Sequence, residues 1–148
     1  MNNASTATRA TNYGTATILN ISSSPQNIGY LRFDLTPLAG RIIETATLRV
    51  RTATDTSTSQ QRVKPVSNTT WGETTLTFAN RPAVTNTVLG TINSQNAANA
   101  WQQVSITSTA IANIGRPFSL AIDSGGTNNV WFWSRESTSR PELVIQYR

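Results

Sequence analysis

The amino-acid sequence predicts an all-β fold, an antiparallel two-sheet β-sandwich of jelly-roll type, on three observations. No stretch sustains apolar residues at i, i+3, i+4 and i+7, the signature of an amphipathic helix. Short blocks rich in β-branched residues alternate apolar with polar side chains instead, as half-buried strands do. Clusters of Gly, Pro, Asn and Ser separate the blocks at the spacing expected of a sandwich. With 148 residues the chain reads as one domain over 1–148, long enough to bury roughly 70 % of the surface its unfolded form exposes.

Ten strands are expected, in chain order. Thr15–Ile21 runs into the turn "NISSSPQN", whose Ser, Pro and Asn suit a reversal. Gly29–Leu35 sets Leu31, Phe33 and Leu35 on one face and Tyr30, Arg32 and Asp34 on the other, because successive side chains of a strand alternate. Ile43–Thr52 turns Leu48 and Val50 inward and Arg49 and Arg51 outward, before a polar loop, Thr52–Ser59. Gln61–Val66 places Val63 inside and Arg62 and Lys64 outside. Thr75–Phe78 offers Leu76 and Phe78 to the core, and Val88–Ile92 leads to a second polar loop, Asn93–Asn99. Trp101–Ile106 points Val104 and Ile106 inward, with Trp101 on the same parity as Gln103 and Ser105. Pro117–Ile122 contributes Phe118, Leu120 and Ile122, and "DSGGTNN" turns the chain. Val130–Ser134 and Glu142–Tyr147 complete the set, the last with Leu143, Ile145 and Tyr147 on the core face.

Several chemistries are excluded by composition. The chain has no cysteine and no histidine, so thiol nucleophiles, disulfides, zinc-thiolate sites and every Ser-His triad are absent. Its seven acids are scattered, whereas a glycosidase needs two carboxylates about 5 to 9.5 Å apart. A lyase with a tyrosine base has Tyr30 beside Arg32 formally available, but without histidine no enzyme is expected. The first ten residues show no apolar h-region and no run approaches eighteen apolar residues, so neither a signal peptide nor a membrane span is read.

Charge is sparse and one-sided. Eleven arginines and the single Lys64 face seven acids, for a net charge of +5. That balance either suits a partner rich in carboxylate or phosphate or simply keeps the domain in solution. Nucleic acid is not favoured, since no recognition helix, RNA-binding aromatic motif or lysine-rich run is present. Arg32, Arg49, Arg51, Arg62 and Lys64 fall on outward positions of three consecutive strands, and neighbouring strands about 4.8 Å apart would join them into a patch. Guanidinium forks match planar carboxylates in a way lysine cannot. The stretch "NNVWFWSRES" adds two of the four tryptophans. Phe132 cannot share a face with Trp131 and Trp133, so one set leaves the core.

The blocks "TNYGT", "YLRFDL", "ETATLRV", "WGETTLTFANRP" and "FWSRES" followed by "RPELVIQY" resemble, in this order, DNRLRE domains, also classified as carbohydrate-binding module family 96. The resemblance spans nearly the whole chain. It implies an extracellular jelly-roll module commonly appended to polysaccharide-degrading enzymes, with alginate the family's best-known ligand. It also implies Phe132 in the core and Trp131 and Trp133 outside, where indoles offer a flat surface to sugar rings. Two departures stand out: Ser5 occupies the place where such domains often carry an aspartate, and Phe78 replaces a second tryptophan.

The site expected from residues and resemblance together holds carboxylates with Arg32, Arg49, Arg51, Arg62 and Lys64, and sugar rings against Trp131, Trp133 and Tyr30. Trp101 is a further platform candidate. The opposing structural reading treats the arginines as a solvated sheet face and the tryptophans as covered. Arg135 and Glu136, beside Arg140 and Glu142, are expected to tie a loop to the sandwich. Trp71 and Glu73 read as packing with a turn-capping hydrogen bond, and Tyr13 and Gly14 as a turn with an edge contact. No cofactor is required, although Asp123 before "SGG" could offer a carboxylate to calcium. The expected partner is an acidic polysaccharide such as alginate, met outside the cell or at its surface. The alternative is a structural subunit of an extracellular fibre or adhesin, a homopolymer in which "NNASTATRATNYG" adds a strand to a neighbour.

Overall fold

The structure is a computed structural model that describes residues 1–93 and 97–148, so the loop expected at Asn93–Asn99 falls partly outside the described residues. Ten strands run β1 (Asn2–Ser5), β2 (Ile18–Ser23), β3 (Gln26–Asp34), β4 (Ile43–Arg51), β5 (Gln61–Val66), β6 (Gly90–Ile92), β7 (Trp101–Ser105), β8 (Pro117–Ser124), β9 (Val130–Trp133) and β10 (Glu142–Tyr147), with one short helix, α1 (Thr107–Ala112). Seven strands form one sheet in the order β6-β5-β8-β3-β2-β9, with β1 paired to β3; the other three form the sheet β10-β4-β7. The described pairings are antiparallel, which makes the molecule the two-sheet sandwich that alternation predicts.

The core lies where the inward parities of the two sheets meet. Leu31 opposes Leu120 and Val63 opposes Ile122 in the large sheet, while Leu48 opposes both Val104 and Leu143 in the small one. These residues join Leu19, Ile21, Val50, Phe118 and Phe132 in one apolar cluster, with Phe33, Leu143 and Ile145 packed against it. Each such side chain contributes about 1.5–3 kcal/mol when fully buried.

Tyr147 does not follow its expected parity and is 49 % exposed. The β10–β4 register slips between Gln146 and Tyr147, where Glu44 is the extra residue of β4; that bulge brings Ile43 into the core and leaves Tyr147, the last residue of β10, at the open end of the sheet. Arg41 lies 5.8 Å from the ring it leaves outside.

A second apolar cluster sits on the opposite face of the large sheet. Ala4, Ile28, Tyr30 and Ala121 are covered there by Trp71, Leu76 and Phe78. The chain between β5 and β6 therefore lies over that face as a lid of turns, and Thr75–Phe78 is no strand. Leu76 N–H bonds back to the Gly72 carbonyl at 2.9 Å, and Thr77 N–H to Asn80 Oδ1 at 2.7 Å. Leu76 and Phe78 alternate because both reach down to the sheet, not because their backbone joins a ladder.

Two elements depart from the pattern rules. The polar β1 is fully enclosed, and Asn3 Nδ2 donates to the carbonyls of Asn20 (2.8 Å) and Ile28 (2.9 Å), which gives its amide the partners that burial demands. The segment expected to add a strand to a neighbour thus pairs within its own sheet, Asn2 opposite Tyr30. In α1, Ala110 packs into the core beside β4, so tertiary burial overrides the weak helix preference of "TSTAIA".

Beyond its end, β4 leaves the small sheet. Thr52 bridges Phe132, Ala53 N–H donates to the Trp131 carbonyl at 2.7 Å, and Trp131 N–H to the Asp55 carbonyl at 3.0 Å. The two sheets are joined along this seam.

Candidate functional site

The predicted basic patch divides in two. Each of its five cations does sit at an outward position, but β3 and β5 belong to the large sheet and β4 to the small one. Outward from one sheet is the opposite direction from outward of the other. Strands consecutive in sequence alternate between layers here, so Arg32, Arg62 and Lys64 lie on one side of the sandwich and Arg49 and Arg51 on the other.

On the large-sheet side the cations hold structure. Arg32 Nη1 donates to the carbonyls of Thr69 (3.0 Å) and Trp71 (2.6 Å) and its guanidinium lies 5.2 Å from the Trp71 ring centre, pinning the lid. Arg62 Nε meets Asp123 Oδ1 at 2.7 Å and Lys64 Nζ meets Oδ2 at 2.8 Å. One carboxylate thus pairs with both and leaves the trio with one net positive charge, and Lys64 is buried. Each Asp123 oxygen lies on a cation, and among the described residues no three acidic side chains converge.

Tyr30, expected to give sugars a surface, is fully buried under the lid. Its ring meets Trp71 edge-on at 6.0 Å, and its hydroxyl donates to the Pro82 carbonyl at 3.0 Å. Burial pushes the phenol up to about 12, against a smaller downward pull from Arg81. Arg81, near the end of the block "WGETTLTFANRP" but not among the expected site residues, lies 3.5 Å from the Phe78 ring centre and lines, with Lys64 and Asp123, a polar cavity of about 530 Å³.

The small-sheet side brings cations and indoles together. In the ladder Arg51 opposes Trp101, and Arg49 opposes Gln103 on β7 and Glu142 on β10. The Arg49 guanidinium reaches diagonally to lie 4.6 Å from the Trp101 ring centre, while Nη1 meets Glu142 Oε2 at 2.7 Å. Among the described residues Arg51 has only neutral partners: Nε donates to the Asn99 carbonyl at 3.0 Å and Nη1 to Ser139 Oγ at 2.9 Å. Asn99, at φ 51, also accepts the Trp133 indole N–H on its Oδ1 at 3.3 Å. One residue therefore fastens an arginine of the small sheet to a tryptophan of β9. Asn99 lay in a loop that composition alone marks only as polar, so no pattern in the sequence pointed to it.

Phe132 is fully buried, and Trp131 and Trp133 leave the core as alternation requires. Trp131 opposes Asn20 and Trp133 opposes Ile18; Trp131 is 36 % exposed. Arg135 meets Glu73 Oε2 at 2.6 Å and Glu136 at 3.5 Å, which ties the lid to the end of β9.

The model of carbohydrate-binding module family 96 matches residues 4–147. The chain belongs to this family. Its role is therefore to bind carbohydrate, and a polysaccharide is the partner the family name implies. No curated protein matches the chain. In the module no helix of the described residues is long and apolar enough to cross a membrane.

Proposed function

We propose that the module is a non-catalytic, extracellular domain that holds an acidic polysaccharide, alginate first, on the outer face of its small sheet. Arg51 is the observation behind this reading: its guanidinium is fixed by two neutral oxygens and meets no carboxylate among the described residues. Beside it stand Arg49 on Trp101 and, through Asn99, Trp133. A charge held in place without its counterion, opposite Trp101 in the ladder and tied through Asn99 to Trp133, suits a uronate carboxylate with a ring to stack. Arg32, Arg62, Lys64 and Tyr30 have no part in this face.

Catalysis finds no support in the acids. Glu142, Asp123 and Glu73 are each ion-paired. Tyr30, the formal candidate for a base, is buried and holds its proton more tightly than a free phenol, the wrong direction for proton abstraction.

Exposed ion pairs yield about 0.2–1 kcal/mol each, so two arginines and a stacked ring give affinities of roughly millimolar. Calorimetric titration with oligoalginate tests the reading. Arg49→Ala with Arg51→Ala should weaken binding about tenfold or more, and added salt should weaken the parent protein. An unchanged titration of the double variant removes these positions from the site.

A further inference from the structure

Two residues along β9 from Trp133, the surface changes character. A groove of about 400 Å³ opens between Trp131, Tyr13 and the turn that follows β1, with Asn3, Asn20 and Asn27 in its walls; no Asp, Glu, Lys or Arg lines it. The volume falls within the roughly 300–1,000 Å³ of small-ligand clefts. Trp131 and Asn20 are direct cross-strand partners, so their side chains share the face that forms the groove.

The amides are unevenly used. Asn3 Nδ2 and Asn27 Nδ2 are spent on backbone and hydroxyl oxygens of the fold. Asn20 Oδ1 is buried with no hydrogen-bond partner, an arrangement that folded proteins rarely keep without a reason. A sugar hydroxyl, which donates and accepts from one atom, can satisfy that oxygen once the Asn20 side chain turns toward the groove it lines, while the C–H face of the same ring lies on the Trp131 indole. A carboxylate would enter without any cation to balance the water it gives up.

We infer that this groove is a second carbohydrate subsite, one that takes an uncharged pyranose ring rather than a uronate. It rests on the family's carbohydrate-binding role and on the groove's own lining, not on the arginine face. The two sites part company in their response to salt, because stacking and hydroxyl hydrogen bonds are little screened whereas guanidinium–carboxylate contacts are.

Affinity electrophoresis of the whole chain in gels containing galactomannan, xylan, hydroxyethyl cellulose or alginate tests this. At least one neutral gel should retard the protein, equally at low and high salt, and Trp131→Ala should cut that retardation at least tenfold. Asn20→Ala provides a second, smaller truncation in case the tryptophan variant melts early. The inference is overturned if no neutral gel retards the protein, or if retardation survives both substitutions in folded protein. Retardation by alginate alone, lost at high salt, removes the groove and leaves the arginine face standing.

Discussion

The guanidinium of Arg49 lies 4.6 Å from the centre of the Trp101 ring, although the ladder places Gln103, not Trp101, directly opposite Arg49. The contact is diagonal across two strands, so the arginine leans along the sheet toward Arg51 and the indole supports it. Such contacts are worth about 0.5–1 kcal/mol at exposed sites. Trp101→Ala and Arg49→Ala should therefore couple: each weakens oligoalginate binding, and the double variant loses less than the sum of the two. A double-mutant cycle by calorimetry reads the coupling; strict additivity would mean that the indole does not seat the arginine.

Asn99 joins Arg51 to Trp133 with its carbonyl and its side-chain oxygen. Asn99→Gly keeps the left-handed backbone that φ 51 demands and removes only the tie to the indole. Binding of oligoalginate should fall about three- to tenfold, the equivalent of one hydrogen bond, with little change in melting temperature. A titration indistinguishable from the parent would detach Trp133 from the site.

Among the described residues Asp123 is the sole carboxylate for Arg62 and for the buried Lys64. Asp123→Asn should cost about 3 kcal/mol, because it strands a buried ammonium. Lys64→Met removes that ammonium and should cost far less, leaving Asp123 with Arg62. Denaturant unfolding of the two variants makes the comparison, and neither should alter carbohydrate binding.

Burial holds the Tyr30 phenol up to about 12 in the folded state, against about 10 for an unperturbed tyrosine. The folded protein thus keeps a proton that the unfolded chain releases. The contribution of Tyr30 to stability is complete below about pH 10 and declines as pH climbs toward 12. Tyr30→Phe should lower stability at neutral pH by about 1 kcal/mol through the lost bond to Pro82, and the gap from the parent should narrow in strong alkali.

Alternation made most of the fold legible: the inward sets Leu31, Leu48, Val63, Leu120 and Ile122 meet in one core, and Phe132 goes in while its flanking tryptophans go out. Layer assignment was not legible, because period two says which residues share a face of a strand and nothing about which sheet that strand joins. Arg51 and Arg62 were both outward, on opposite sides. The lid was hidden for a related reason: Leu76 and Phe78 show strand parity while their backbone runs in turns, so Tyr30 looked exposed. Asn99 gave no signal, since its role comes from a backbone carbonyl and one φ angle. The buried β1 was masked by its polar residues, whose amides are satisfied only in the folded context.

The strand that displays Trp131 and Trp133 is hydrogen-bonded on one edge by β2 and on the other by the chain from Thr52 to Asp55. The backbone of Trp131 is thus hydrogen-bonded from both sides before any glycan binds at the proposed sites. The ordering cost of association therefore falls mainly on the sugar chain. A glycan already stiff in solution should then gain most from this surface, and a limp one least.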